Sequence, residues 1–264
     1  MADEGIDRNK ISRYELKYII PLKLVAQIES YLEIHCEKDK HSEKSPDGYY
    51  TVNTLYLDSP NFMLLANKQA DLAKRFTLRI RSYADGTAPP YFFEVKKKAG
   101  MAIEKVRAAV AVDDLYEVYS HPDRVLGFNS EDKKNLEYFV RKSEELLAKP
   151  QIFTQYKRLA FFSVFDEYVR ITFDRDLKFC KSKKFDVCPG SYDLSNYDHK
   201  EFFKGMPSDS VVLEIKTLTS VPKWVFEMIQ HFGLERGSFS KFESSLIESA
   251  GYDDNELMGL GSYL

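Results

Sequence analysis

Basic and acidic side chains fall at every second position in five stretches of this chain. They are Arg13-Tyr14-Glu15-Leu16-Lys17, Arg79-Ile80-Arg81, Glu94-Val95-Lys96-Lys97-Lys98, Arg170-Ile171-Thr172-Phe173-Asp174 and Glu214-Ile215-Lys216. A β-strand points successive side chains to opposite faces, so one face of each stretch is charged and the other is apolar. Charge on one strand face ordinarily means only that the face meets water. Here the faces are mostly Arg and Lys with one Glu or Asp among them, which suits phosphate and metal. Taking a triphosphate out of water is costly unless many cations and donors replace the solvent. Arg brings a planar fork matched to phosphate oxygens, and Lys a mobile point charge. Lys17, Arg79, Arg81, Lys96, Lys98, Arg170 and Lys216, brought together, would repel one another. They point to a polyanion unless the interleaved carboxylates simply neutralise them. Glu15, Glu94, Asp174 and Glu214 have two possible tasks: structural ion pairs, or holding Mg²⁺ or Mn²⁺ as hard oxygen ligands. No P-loop pattern, catalytic triad or Cys-His pair is present, so nothing nominates itself as a general base.

The elements that must position these residues follow from periodicity. Strands are expected at Ser12 to Ile20, Tyr49 to Leu57, Arg75 to Tyr83, Tyr91 to Lys98, Ala102 to Val112 (with Lys105 and Arg107 on one face), Ile152 to Leu159, Phe161 to Phe165, Tyr168 to Phe173 and Val211 to Thr217. Asp85-Gly86 and Pro89-Pro90 mark a loose hairpin loop. Pro21 opens an amphipathic helix through Leu24, Val25, Ile28, Tyr31 and Leu32. Glu37 to Gly48 is charged and ends in a turn, and Asp58-Ser59-Pro60 starts a short helix. Asp113 to Ala148 is helical, with Leu136, Phe139, Val140 and Leu147 as its apolar stripe and Pro150 as its stop. Lys178 to Asp209 reads as an excursion. Helices at Pro222 to Phe232 and Phe239 to Ala250 close the pattern. The fold class is α+β: an antiparallel barrel or strongly curved sheet with a polar interior and an apolar exterior under helices.

At 264 residues the chain suits one domain over 11–250, with a disordered start at 1–10 and a tail at 251–264. The 17 Tyr and 19 Phe favour β-structure. A net charge of −3 gives no whole-molecule attraction to nucleic acid, so any polyanion site is a local concentration of cations. Three cysteines without a CxxC pair read as reduced thiols, and the five histidines show no zinc spacing. The polar, acidic opening predicts no signal peptide, no apolar run reaches a membrane span, and a cytoplasmic location is expected.

The motifs also carry a resemblance. Arg13 to Tyr18 (RYELKY), Thr54 to Ser59 (TLYLDS), Leu78 to Tyr83 (LRIRSY), Phe93 to Lys98 (FEVKKK), Tyr156 to Phe161 (YKRLAF), Val169 to Asp174 (VRITFD), Leu213 to Thr217 (LEIKT) and Phe239 to Phe242 (FSKF) occur in order. Together they resemble the VTC domain, the polyphosphate polymerase module of the triphosphate tunnel metalloenzyme superfamily, over about residues 11 to 248. The resemblance implies an eight-stranded antiparallel tunnel with a basic interior. It implies transfer of the γ-phosphate of ATP onto polyphosphate with Mn²⁺ or Mg²⁺. By position, Lys17, Arg79, Arg81, Lys96, Arg158, Arg170 and Lys241 would grip phosphates. Tyr156 and Ser240 would add hydroxyl donors, Lys98, Lys105, Arg107 and Lys216 would line the tunnel, and Glu214 would hold the metal. The ExExK of the wider superfamily is altered, because Arg13 stands in its first acidic place; this favours the VTC branch over cyclases and thiamine triphosphatases. The implied partners are ATP or another triphosphate and polyphosphate, with a separate membrane partner possible. Some family members bind polyphosphate without making it, and a tripolyphosphatase is a further alternative.

Overall fold

The structure, a computed structural model, describes residues 14–83, 89–100, 102–111, 114–124, 129–166, 168–188, 190, 192–196, 209–218, 220–237 and 239–250. The expected disordered start, Ser12, Arg13, the Asp85-Gly86 loop, Val112 and the tail lie outside those residues, as does much of the 178–209 excursion.

Ten strands are described: β1 (Tyr14–Pro21), β2 (Cys36–Lys38), β3 (Tyr50–Asp58), β4 (Lys74–Ser82), β5 (Tyr91–Ala99), β6 (Ala102–Val110), β7 (Lys149–Ser163), β8 (Val169–Lys181), β9 (Ser195–Asn196) and β10 (Ser210–Thr217). Eight of them form a continuous path, β1-β10-β8-β7-β3-β4-β5-β6, antiparallel at every step; β2 adds to β7 and β9 to β8. The ladder is not closed among the described residues, since β1 and β6 end it. Its side chains nevertheless span the gap: Lys96 Nζ on β5 donates to Glu15 Oε2 on β1 at 2.9 Å. The sheet is therefore curled far enough to bring its two ends together.

Register places the alternating charges in rows on one face. Glu15, Lys216 and Arg170 align across β1, β10 and β8, as do Lys17, Glu214 and Thr172. Asp174, Arg158 and Tyr50 form a row across β8, β7 and β3, and Arg79, Glu94 and Arg107 a row across β4, β5 and β6. The opposite face is apolar and packs beneath helices. Leu136, Phe139 and Val140 of α5 (Ser130–Glu145) cover Leu78, Ile80, Phe93, Val95, Ala108 and Val110. Helices α1 (Val25–Leu32) and α6 (Lys223–His231) bury Val25, Ile28, Leu32, Val225 and Met228 against Tyr18, Ile171, Phe173, Leu213 and Ile215. A third cluster is internal: Phe242 and Leu246 of α7 (Lys241–Ala250), with Phe239, meet Tyr56, Tyr156, Leu177 and Val212. Helix α7 thus packs against the concave side of the sheet.

Local readings differ in several places. The charged stretch Glu37 to Gly48 contains β2 and the five-residue helix α2 (Lys40–Lys44), both too short to show a period. The Asp113–Ala148 pattern is broken by His121 and Pro122 into α4 (Leu115–Ser120), a 3₁₀ turn and α5. Leu147 does not join the stripe: it follows the helix end with φ of +50° and is exposed. Pro150 lies inside β7, and the three short strands expected after it are two long ones, because both faces of β7 and β8 are buried along most of their length. Helix α3 (Met63–Gln69) begins later than Pro60, and Asp58 sets its start by accepting from the backbone N–H groups of Leu64 (2.9 Å) and Leu65 (3.0 Å). No described helix is long and apolar enough to cross a membrane.

Asp58 is wholly buried and also accepts from Ser59 N–H. Replacing it by Ala strands these donors, so Asp58→Ala is expected to cost roughly 1–3 kcal/mol in urea unfolding.

Candidate functional site

The charged rows meet inside the curl. On one wall Glu94, at 0% exposure, accepts from Arg79 Nε at 2.7 Å, pairs closely with Lys105 Nζ and lies 3.4 Å from Arg107 Nε. Burial alone would raise its carboxyl; Arg79, Lys105, Arg81 and Arg107 overcome that and hold it well below the ordinary value. Arg81 donates from Nε to Thr54 Oγ1 at 3.1 Å, with its guanidinium 5.9 Å from the Tyr83 ring centre. On the wall made by β7 and β8, Arg158 clasps Asp174 with two bonds of 2.7 and 2.8 Å. Lys241, from the first turn of α7, donates to the same carboxylate at 2.6 Å. Burial opposes ionisation of Asp174, yet Arg158 and Lys241 pull its pKa down to about 2.

Between the walls, Lys216 Nζ lies 3.2 Å from Glu214, whose carboxyl is held well below its usual range, against burial, by Lys216, Lys17 and Lys96. Lys17 Nζ donates to the Phe239 carbonyl at 2.9 Å. Arg170 Nη2 reaches Asp39 Oδ2 at 3.2 Å and the Tyr50 hydroxyl at 3.4 Å. Burial brings the ammonium groups of Lys105 and Lys216 down to about 8 and lowers Lys17 too. Cations outnumber carboxylates throughout this space. It also leaves buried donors unused: Arg107 Nε, Arg170 Nε and Thr172 Oγ1 have no hydrogen-bond partner among the described residues. An unpaired buried group of this kind costs about 1–3 kcal/mol, so its presence calls for a ligand or water.

The structure therefore brings together Lys17, Arg79, Arg81, Lys96, Lys105, Arg107, Arg158, Arg170, Lys216, Lys241 and Glu214. Tyr156 joins them, its ring 4.4 Å below Lys241 Nζ and 5.2 Å from the Arg158 guanidinium. Lys98 lies apart, near the strand end opposite Arg75 and Ile103. The Ser240 hydroxyl accepts from Glu243 N–H at 3.4 Å, capping α7. Sequence reasoning missed Asp39, Tyr50, Thr54, Tyr56 and Thr172. Strand parity puts Tyr50, Thr54 and Tyr56 on one face of β3, but gives no sign of which face turns inward, because both are buried.

Among the described residues no three His, Cys, Asp or Glu side chains gather as a metal cage. Magnesium-type ions commonly take one or two carboxylates and complete their shell with water and substrate phosphates. Glu214, with Glu15 close enough for their charges to interact, fits that arrangement.

An antiparallel sheet curled round a buried, cation-rich interior defines a tunnel-like class of fold. The VTC domain model matches residues 12–248, and the chain belongs to that family. No curated protein sequence matches it. A candidate adenylate cyclase from Bacillus halodurans is 12% identical, with 88% of this chain and 95% of that one covered at a TM-score of 0.47. One from Vibrio parahaemolyticus is 14% identical over 90% and 98% of the two chains, at 0.45. A candidate adenylyl cyclase from Hippeastrum with a dominant triphosphatase activity is 14% identical over 88% and 93%, at 0.40. At these scores the likenesses do not bear on reaction or substrate.

Removing Asp174 leaves Arg158 and Lys241 buried without their counter-charge, a loss of about 3–5 kcal/mol at neutral pH for Asp174→Asn. Because the folded pKa is depressed, the ionisation-dependent part of this stabilisation, on the order of 2 kcal/mol, is complete above the reference value of 3.8 and is lost as pH falls through about 2. Unfolding of wild type and variant across that window should show the gap narrowing by about that amount.

Proposed function

We propose that the tunnel binds the triphosphate of ATP and transfers its γ-phosphate to the end of a polyphosphate chain. The observation that carries this reading is the surplus of buried cations around Glu94, Asp174 and Glu214, with donors left unused beside them. Arg79, Arg81, Lys105 and Arg107 would hold phosphate oxygens from one wall. Arg158, Lys241, Arg170, Lys216, Lys17 and Lys96 would do so from the other. Ser240 and Lys98 would act at the margins, and Tyr156 would position Lys241. The attacking group is a terminal phosphate oxygen that is already anionic, so alignment and charge neutralisation supply the catalysis and no strong general base is needed. As the γ P–O bond to ADP breaks, the electron pair leaves with ADP and a new P–O–P link forms on the acceptor. A divalent ion, Mn²⁺ or Mg²⁺, held through Glu214 would neutralise charge on the transferring phosphates. We place this activity in a single domain over 11–250. A cytoplasmic setting belongs to the same proposal, supported by three cysteines that are all free. The acidic net charge supports polyphosphate rather than nucleic acid as the polyanion. Glu214, present and held ionised, favours an enzyme over a binding-only sensor.

Incubation with ATP, Mn²⁺ and a short polyphosphate primer, resolved on a gel, should give a lengthening ladder that Glu214→Gln abolishes. Free phosphate without a ladder would indicate a tripolyphosphatase, and tight binding without turnover a sensor. Lys105 and Lys216 must be charged to hold the anion, and the anion in turn favours their charged forms. Tripolyphosphate affinity should therefore fall as pH rises through about 8, with proton uptake on binding measurable by calorimetry in buffers of different ionisation enthalpy.

A further inference from the structure

Thr172 is the side chain on the tunnel wall that the proposed transfer leaves unexplained. It is wholly buried, and its hydroxyl has no hydrogen-bond partner among the described residues. Its face is fixed by register. It lies between Glu214 on β10 and Ala160 on β7, in the row that Lys17 completes, and two residues from both Arg170 and Asp174 on its own strand. A Thr chosen only for strand propensity could be replaced by Val of the same shape, without a polar atom to satisfy. Ala160, itself buried, stands beside it on β7. Arg170, whose Nε is another unused buried donor, lies two positions away on the same face, its Cα roughly 7 Å along the strand. The charges framing this pair are Lys17, Lys216, Arg158 and Arg170, with Glu214 engaged by Lys216, Asp174 by Arg158 and Lys241, and Asp39 by the Nη2 of Arg170. A cluster of cations with two unfilled donors is matched by phosphate oxygens.

We infer that Thr172 is a substrate-binding residue whose hydroxyl donates to a phosphate oxygen of the triphosphate or polyphosphate, alongside Arg170 Nε. The inference rests on the proposed triphosphate-binding reading and adds a contact to it. The hydroxyl is idle in the free protein and used only with the anion bound, so its removal separates binding from stability.

The test is calorimetric titration of inorganic tripolyphosphate, without metal, into wild type, Thr172→Val and Thr172→Ser, with the melting temperature of each free protein. A hydrogen bond to a charged group predicts a loss of roughly ten- to a hundredfold in affinity for Thr172→Val. Thr172→Ser should keep affinity near wild type, and the free Thr172→Val protein should melt no lower than wild type. Unchanged affinity in Thr172→Val overturns the inference. So does a lower melting temperature of the free Thr172→Val protein, which would show that the hydroxyl already has a structural partner. Wild type that fails to bind tripolyphosphate overturns the tunnel reading itself, and this contact with it.

Discussion

The structure depends on one electrostatic constraint: ionised groups held out of water must be counterbalanced where they stand. Glu94 and Asp174 are the fixed points, each fully buried and each gripped by more than one cation. Such pairs do not stabilise a fold cheaply, because the desolvation of both partners offsets most of their attraction. A well-packed apolar interior would be as stable or more so. Keeping arginines and lysines there makes sense when a ligand completes the balance, which is why the surplus of cations outweighs any single ion pair as an indicator of what the interior does.

The rest of the architecture serves that interior. Reversing the usual polarity of a sheet, with charge on the concave side, requires the convex side to be covered, and α1, α5 and α6 do this with Ile28, Leu32, Phe139 and Met228. Helix α7 has a double task. Its Phe242 and Leu246 pack on apolar interior residues, while Lys241 in its first turn reaches Asp174. Helix packing and charge placement are thus coupled through one element, and a shift of α7 would move a phosphate-binding candidate. Lys68 on α3 pairs with Glu243 on the same helix, tying α7 to the outer elements as well.

Much of this was legible in the sequence because a strand's period is two. Alternation in residues 79–81, 94–96, 170–174 and 214–216 set which side chains share a face, and the sheet places those faces inward together. Glu94 against Arg79 and Arg107 is a case where parity predicts the neighbours and only register, supplied by the whole sheet, reveals the partners. What escaped was of two kinds. Strand β3 is buried on both faces, so Tyr50, Thr54 and Tyr56 showed no charged–apolar contrast to notice. Asp39 acts through tertiary placement: it caps α2 by accepting from Ser42 N–H at 2.8 Å while taking a bond from Arg170, more than a hundred residues away. Leu147 shows the opposite failure, a helical period that runs on past the point where the backbone turns left-handed. The Glu15 and Lys96 pairing that links β1 to β5 across the opening of the sheet could not be read from either segment alone.

The most direct test of the central claim is the crystal structure of the protein grown with inorganic tripolyphosphate. Phosphate density inside the curl, between the Arg79–Arg81 wall and the Arg158–Lys241 wall, is the result expected if the buried cations are there for a polyanion. Density confined to outer-surface lysines, with the Arg79–Glu94 and Arg158–Asp174 pairs unchanged and the interior empty, would contradict it and leave those charges as structural ion pairs.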